Sequence, residues 1–431
     1  MKQAQKNFLA GVVGNILDRY DIALYGFMAS FIAPNFFPGD DLFVATIKAY
    51  GLMAIGLITK PIGSLLFGYL AMTIGPKKVM IISLIGISFT TCMMGLVPSH
   101  AQIGHISTLL FVLVRVCQSM FAVGEHVVAP FFIIENSTDR KYTRSSGFYH
   151  FSTMFGVVMA SIASAIVSKT SDPQFYWRYA YFLGSFTALA GLYLRLNVIN
   201  EAKELKIQIS FKEVRTLIYD NKYPILRVGL VASFSYITYT IPFIFMNSFI
   251  PQITNIDISE MLQLNSMLLV LDTTLIPIFT LISERYDIRK FMATMSLTMV
   301  VCVLPLFAFL QDASFMYVMF VRLFIILVGL AYLAPIHAWY YSLFKSSDRY
   351  LLIGIGAGIG DEILGKNSTA ICLFLWHYFQ TPIAPACYIF TVASLASFAL
   401  IAMEDKKKPK YNIEEETELE VEGEIGIFAH K

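Results

Sequence analysis

Apolar runs of about twenty residues recur along almost the whole chain, about twelve times. No other feature narrows the possible folds as far. Wound as a helix, a run of that length matches the hydrocarbon thickness of a bilayer. Composition agrees: 56% of residues are hydrophobic and 14% are charged, where soluble domains carry roughly a quarter charged, and the mean hydropathy is +0.64. The chain reads as an all-α membrane protein with twelve transmembrane helices, over 8–36, 47–71, 78–97, 106–135, 146–168, 177–195, 223–250, 259–283, 290–310, 314–343, 351–376 and 383–403. The net charge of +2 averages over surfaces in different compartments and indicates no partner.

Charge placement gives the orientation. One set of loops is basic: Lys2 and Lys6, Lys77 and Lys78, Arg140 to Arg144, the 196–222 segment, Arg285 to Lys290, Lys345 and Arg349, and Lys406 to Lys408. The alternate loops hold Asp40, Asp41, Asp257 and Glu260 and almost no Lys or Arg, with Lys48 and Lys169 the exceptions. By the positive-inside rule both termini are expected to be cytoplasmic, in a multi-pass cytoplasmic (inner) membrane protein. Lys2 and Lys6 before an apolar run imitate a signal peptide, but Asp18 and Arg19 interrupt that run, so an uncleaved first span is expected.

The 196–222 segment is the one long internal polar stretch. It divides the chain into a six-helix half (1–195), a cytoplasmic linker (196–222), a second six-helix half (223–403) and a tail (404–431). The halves echo each other. "FVLVRVCQSMFAVGEHVVAP" (111–130) parallels "YVMFVRLFIILVGLAYLAP" (317–335), and "GPKK" at Gly75 parallels "ERYDIRK" at Glu284. A duplicated half is a mark of secondary transporters.

Charges within the spans are costly, on the order of 3 kcal/mol at the bilayer centre on insertion scales. Yet "GNILDRYDIALYGF" (14–27) places Asp18, Arg19 and Asp21 in the first span. Gly11, Gly14, Asp18, Asp21 and Tyr25 follow helical steps and form one stripe. That stripe is expected to line a hydrated cavity; the alternative is that Arg19 neutralises an acid to hold the fold. In the fourth span Arg115, Gln118, Ala122, Glu125 and Ala129 share a face, with His126 off it and expected to be structural. Glu125 either carries a proton or is salt-bridged, for example to Arg115 or Lys60. The second half holds Asp272, Arg322, and Asp361, Glu362 and Lys366 in "GIGAGIGDEILGKNS". Glu362 and Lys366 are spaced to pair. The glycine run lacks the GK[ST] ending of a phosphate loop and reads as tight helix packing.

No nucleophile elbow, HExxH or Walker motif occurs, so an enzyme is not expected. Cys92, Cys117, Cys302, Cys372 and Cys387 fall in apolar runs without metal or redox spacing. No cofactor or metal is implied. Without an ATP-binding domain, an ion gradient would have to supply the energy. The expected partners are a small-molecule substrate, protons and the lipid bilayer, with no nucleic acid and no obligate protein partner.

Twelve helices in two halves around a central loop resemble the major facilitator superfamily. Within it, "GNILDRYDIALYGF", "KPIGSLLFGYL" (60–70), "RVCQSMFAVGEHVVAPFFIIENSTDRKYTRSSGFY" (115–149) and "YWRYAYFLG" (176–184) resemble signatures of the metabolite:proton symporter family. "SERYDIRK" (283–290) and "DRY" (348–350) extend the likeness into the second half. The resemblance implies proton-coupled symport of a small organic solute, and "ENSTDRK" (135–141) points to the branch that takes proline and glycine betaine. The chain departs from the pattern at three places. Met72 and Pro76 replace an acid and an arginine in the first cytoplasmic loop, Lys60 and Arg19 replace other residues, and Asp361, Glu362 and Lys366 are additional. The tail shows no heptads, so osmotic activation through a coiled coil is not implied.

On this resemblance the substrate-binding residues are expected to be Asp18, Asp21, Tyr25, Lys60, Arg115, Gln118 and Arg322. Arg115 would take a carboxylate; Asp18 or Asp21, with Tyr25, would face a cation. Glu125 and Asp21 would carry the coupling proton. The gate would use Lys77, Lys78, Glu284, Arg285 and Arg289, with control resting on the second-half loop because Met72 has displaced the usual acid. Two alternatives stand beside this one: a proton-coupled 2-oxoglutarate or dicarboxylate permease, if Lys60, Arg115 and Arg322 converge, and a membrane sensor that no longer transports.

Overall fold

The computed structural model describes residues 3–37, 56–136, 142–197, 210–256, 258–345 and 348–402. Residues 47–55 of the second expected span, Lys2, Asp40, Asp41, Lys48, Arg140, Lys141, Asp257, residues 198–209 of the 196–222 segment and the tail lie outside them. No strand occurs among the described residues. In the first half the rods are α1 (Gln3–Phe36), α2 (Gly56–Ile74), α3 (Pro76–Leu96), α4 (His105–Glu135), α5 (Tyr142–Ser168) and α6 (Pro173–Asn197). A short linker helix, Phe211–Asp220, precedes the second half. There the rods are α7 (Lys222–Ile253), α8 (Ile258–Ser283), α9 (Ile288–Ala308), α10 (Phe315–Leu343), α11 (349–379) and α12 (Ile383–Ile401). Eight stretches among the described residues are long and apolar enough to cross a membrane on length and composition alone. α1 and α11 are not among them, and both carry three charges near their middles.

Local chemistry sets the rod ends. Gly75 adopts φ 92° and Pro76 follows as the first residue of α3, which makes the α2–α3 turn tight. Asp287 caps α9 by accepting from the Lys290 N–H at 2.8 Å. α7 passes through a π-helical turn at Ile241–Phe245 and α11 through another at Asp361–Lys366.

Lipid is as apolar as leucine, so association of the rods rests on close packing and polar contacts. α1 packs on α4, α5 and α6, and α7 on α10, α11 and α12. The halves meet where α2 lies along α11, α5 along α8, and the ends of α4 and α5 against the end of α10. Gly147 of α5 permits the α5–α8 approach: a methyl group there would collide with Thr280. Side chains such as Ile62, Leu66 and Leu113 point outward and are exposed, as a lipid-facing surface requires.

Candidate functional site

The glycine run of α11 brings backbones together. Gly360 rests so closely on Gly229 of α7 that a side chain on Gly360 would collide with the Gly229 backbone. The π-turn follows at once. A π-turn closes i→i+5 hydrogen bonds and is common at functional sites. Here two consecutive acids reach one cation of the opposite half. Lys60 Nζ of α2 lies 3.7 Å from Asp361 Oδ2 and 3.0 Å from Glu362 Oε1. Lys366 Nζ lies 2.6 Å from that same Oε1, as the i, i+4 spacing predicts. The Glu362 side chain is 1% exposed, so its carboxylate is buried, while Asp361 and Lys366 are partly exposed, at 22% and 31%. Lys60 also sits over the Tyr236 ring of α7, 5.6 Å from its centroid. Two cations and two anions leave the cluster electroneutral.

Lys60 and Asp361 open onto a cavity of about 50 Å³ that His126, Phe131, His337 and Tyr340 also line. It draws on α2 and α4 from one half and on α10 and α11 from the other. Its size admits on the order of three or four waters, too few to leave room for a metabolite.

The remaining interior charges of the first half are held within that half. Arg19 lies 2.5 Å and 3.0 Å from the two ring nitrogens of His126, donates to Tyr149 Oη at 2.8 Å, and lies 3.8 Å from Asp18. Asn15 anchors the same cluster on Ser152 and Thr153 of α5, at 2.7 Å and 2.9 Å. Glu125 is fully buried within electrostatic reach of Arg19. Further along α1, Asp21 Oδ2 accepts from Thr91 at 3.3 Å, Thr91 accepts from Gln118 at 2.9 Å, and Gln118 accepts from Arg115 at 2.6 Å. The Arg115 guanidinium stacks on Tyr25, 3.9 Å from the ring centroid.

Asp21 and Tyr25, expected on the cavity wall, face α3, α4 and α6 instead. Asp21 Oδ1 presses on Gly184 of α6, and Tyr25 packs near Phe111. The periodicity of α1 shows which residues share a face; it does not show which neighbour that face meets. His126, which periodicity set aside as structural, lines the cavity.

Arg322 of α10 is the counterpart of Arg115 in the internal repeat. It is fully buried and donates to Pro242 O at 2.7 Å, Asn247 Oδ1 at 3.1 Å and Asn265 Oδ1 at 2.7 Å. Neither arginine meets a carboxylate among the described residues. Lys60, Arg115 and Arg322 occupy three separate settings and do not converge in this conformation.

The end of the bundle that carries the start of α1 and the close of α12 is clasped across the halves. Arg144 of α5 makes a two-pronged pair with Glu284 at 2.9 Å and 2.8 Å. Glu135 of α4 accepts from Arg349 at 3.2 Å and from Tyr350 Oη at 2.7 Å, which joins the "ENSTDRK" and "DRY" motifs. Ser146 donates to Ala334 O at 2.7 Å, and Tyr142 stacks on Tyr341 with centroids 5.1 Å apart. Met72 packs with Leu351 of α11 and Val214 of the linker helix. The other expected gate residues stand apart from these clasps. Arg289 donates to Leu400 O and Ile401 O, tying α9 to α12; Arg285 is exposed, and Lys77 and Lys78 are half-buried at the start of α3.

Comparison with known proteins follows this geometry. The family model described as Major Facilitator Superfamily matches residues 12–227. The proline/betaine transporter of Salmonella typhimurium is 25% identical over 424 residues, covering 93% of this chain and 83% of that protein. The glycine betaine/proline/ectoine/pipecolic acid transporter OusA of Dickeya dadantii is 26% identical, covering 94% and 84%. Among solved structures, the proton:xylose symporter XylE bound to 6-bromo-6-deoxy-D-glucose superposes with a TM-score of 0.74 at 13% identity, covering 93% and 95%. A bacterial homologue of the iron transporter ferroportin in an outward-facing state gives 0.69 at 14% identity, covering 93% and 99%.

Proposed function

The chain belongs to the Major Facilitator Superfamily, and from that premise we propose that it carries a small zwitterionic solute of the proline or glycine betaine type, in symport with protons, by alternating access of its two halves. That it is a multi-pass membrane transporter and not an enzyme follows from the fold and the relatives. The observation that carries the finer reading is the electroneutral cluster of Lys60, Asp361, Glu362 and Lys366 at the cavity between the halves. A zwitterion adds no net charge to such a site. A dicarboxylate adds two negative charges and meets only Lys60 of the three cations that would have to gather around it. The names of the relatives support the same class.

In this reading Lys60 takes the substrate carboxylate and Glu125, beside Arg19 and His126, carries the coupling proton. Asp18, Asp21, Tyr25, Arg115, Gln118 and Arg322 hold the helices that wall the cavity. The proton gradient supplies the energy. The basic end is cytoplasmic by the positive-inside rule, so the clasped conformation is closed toward the cytoplasm.

The test is uptake of labelled proline and glycine betaine by proteoliposomes under an imposed proton gradient. The expected result is accumulation that a protonophore abolishes. Accumulation of 2-oxoglutarate and of neither zwitterion would refute the reading.

A further inference from the structure

Resting on the proposed zwitterion reading, we infer that Asp361 is the receptor for the cationic end of the substrate and that Lys366 is a standby cation, placed to keep Glu362 paired when Lys60 turns to the substrate. The inference comes from counting partners. Glu362 is shared: both ammonium groups address its Oε1, at 3.0 Å from Lys60 and 2.6 Å from Lys366. Its Oε2 is buried and has no hydrogen-bond partner among the described residues. Asp361 pairs with Lys60 at 3.7 Å, and Lys366 acts on it only from a longer range.

Suppose a carboxylate enters the cavity and draws Lys60 toward it. Glu362 keeps the shorter of its two ion pairs, which lies wholly within α11 and moves with the second half. Asp361 loses its nearest cation and keeps only the longer-range pull of Lys366. A partly buried carboxylate without its ion pair is unfavourable, so the site then favours one positive charge at Asp361. A zwitterion supplies that charge in the same molecule. An anion does not. Asp361 is well placed to receive it: its side chain is 22% exposed where that of Glu362 is 1%, and it opens onto the cavity beside the Tyr340 ring. An aromatic face next to a carboxylate suits a substituted ammonium. Selectivity for zwitterions would thus reside in two consecutive acids, one permanently satisfied and one left in need.

The experiment uses pairs of molecules that share a shape and differ in the cationic centre. 3,3-Dimethylbutyrate is glycine betaine with carbon in place of the quaternary nitrogen, and cyclopentanecarboxylate is proline with carbon in place of nitrogen. Each competes against uptake of the labelled zwitterion by the full-length protein in proteoliposomes, and each is also tested for raising the Tm of the purified protein. In wild type the zwitterion should win by a large factor. In Asp361→Asn that preference should shrink at least ten-fold, with binding of the carbon analogue little changed. In Lys366→Met the preference should persist while the maximal rate falls at least ten-fold. If Asp361→Asn folds, by its Tm, and keeps the wild-type preference, the inference is wrong. It is also wrong if that variant keeps the preference in exchange but loses only gradient-driven accumulation, since Asp361 would then serve the proton. Should Asp361→Asn fail to fold, Asp361→Ser removes the charge with a smaller side chain, and zwitterion preference surviving in that variant overturns the assignment. If the wild type takes up neither zwitterion, the reading beneath the inference has failed instead.

Discussion

The buried charges of α1 and α4 and those at the π-turn of α11 find their partners in different ways. In the first half Arg19, Asp18, Asp21 and Arg115 find their partners on α1, α3, α4 and α5 of the same half. In the second, Asp361 and Glu362 reach across to Lys60. Partners within one rigid half stay together while the halves rock. Partners in opposite halves must separate, or be replaced, every time the protein changes face. On the proposed function the two sets of charges would have different duties, one holding a half in shape and the other linking its position to what occupies the cavity.

The largest effect should come from Glu362→Gln. It leaves Lys60 and Lys366 without their shared counter-ion, and breaking a buried pair costs about 3–5 kcal/mol. We expect uptake to be nearly abolished and the Tm of the purified protein to fall. Wild-type uptake would show that the cross-half cluster takes no part in the cycle. Arg115→Lys probes the other set. It keeps the charge and gives up the planar guanidinium that donates to Gln118 and stacks on Tyr25, so a loss of less than ten-fold in uptake rate is expected. A loss as complete as that of Glu362→Gln would erase the distinction between the halves.

The clasped end sharpens the comparison. Met72 is 3% exposed, and trimming a buried methionine costs about 2 kcal/mol or more. Met72→Ala should shift the balance away from the clasped state about thirty-fold, read as faster labelling of a cysteine placed behind the clasp, with little response to salt. The Arg144–Glu284 pair is partly exposed, at 38% and 21%, and such a pair is worth up to about 1 kcal/mol. Glu284→Gln should give the smallest shift, about five-fold, and it should fade at high ionic strength. A salt-dependent effect of Met72→Ala would contradict an apolar clasp.

The all-α membrane fold was legible because lipid forces long apolar helices. The signature motifs were legible too, although their meeting was not: nothing in "ENSTDRK" says that Glu135 will accept from Arg349. Control of the gate was expected from the second loop because Met72 had replaced an acid. Burial gives the first loop a contact of a different kind, apolar rather than ionic. The stripe on α1 was read correctly as a stripe, but the neighbour it meets depends on how the rods rotate. The pairing of Glu362 with Lys366 follows from spacing alone. That of Lys60 with the same acid does not, because it depends on two rods nearly three hundred residues apart in the chain.

The π-turn at Asp361–Lys366 has a consequence for chain length. A single extra residue converts a regular helical turn into a π-turn, and removing it restores the ordinary pitch. Each residue of an α-helix advances the rod by about 100°. A one-codon deletion in this turn would remove the bulge, turn the residues beside it by about that angle and leave every other side chain unchanged in identity. The aim of Asp361 and Glu362 at Lys60 therefore depends on the length of this turn as well as on the identity of its residues.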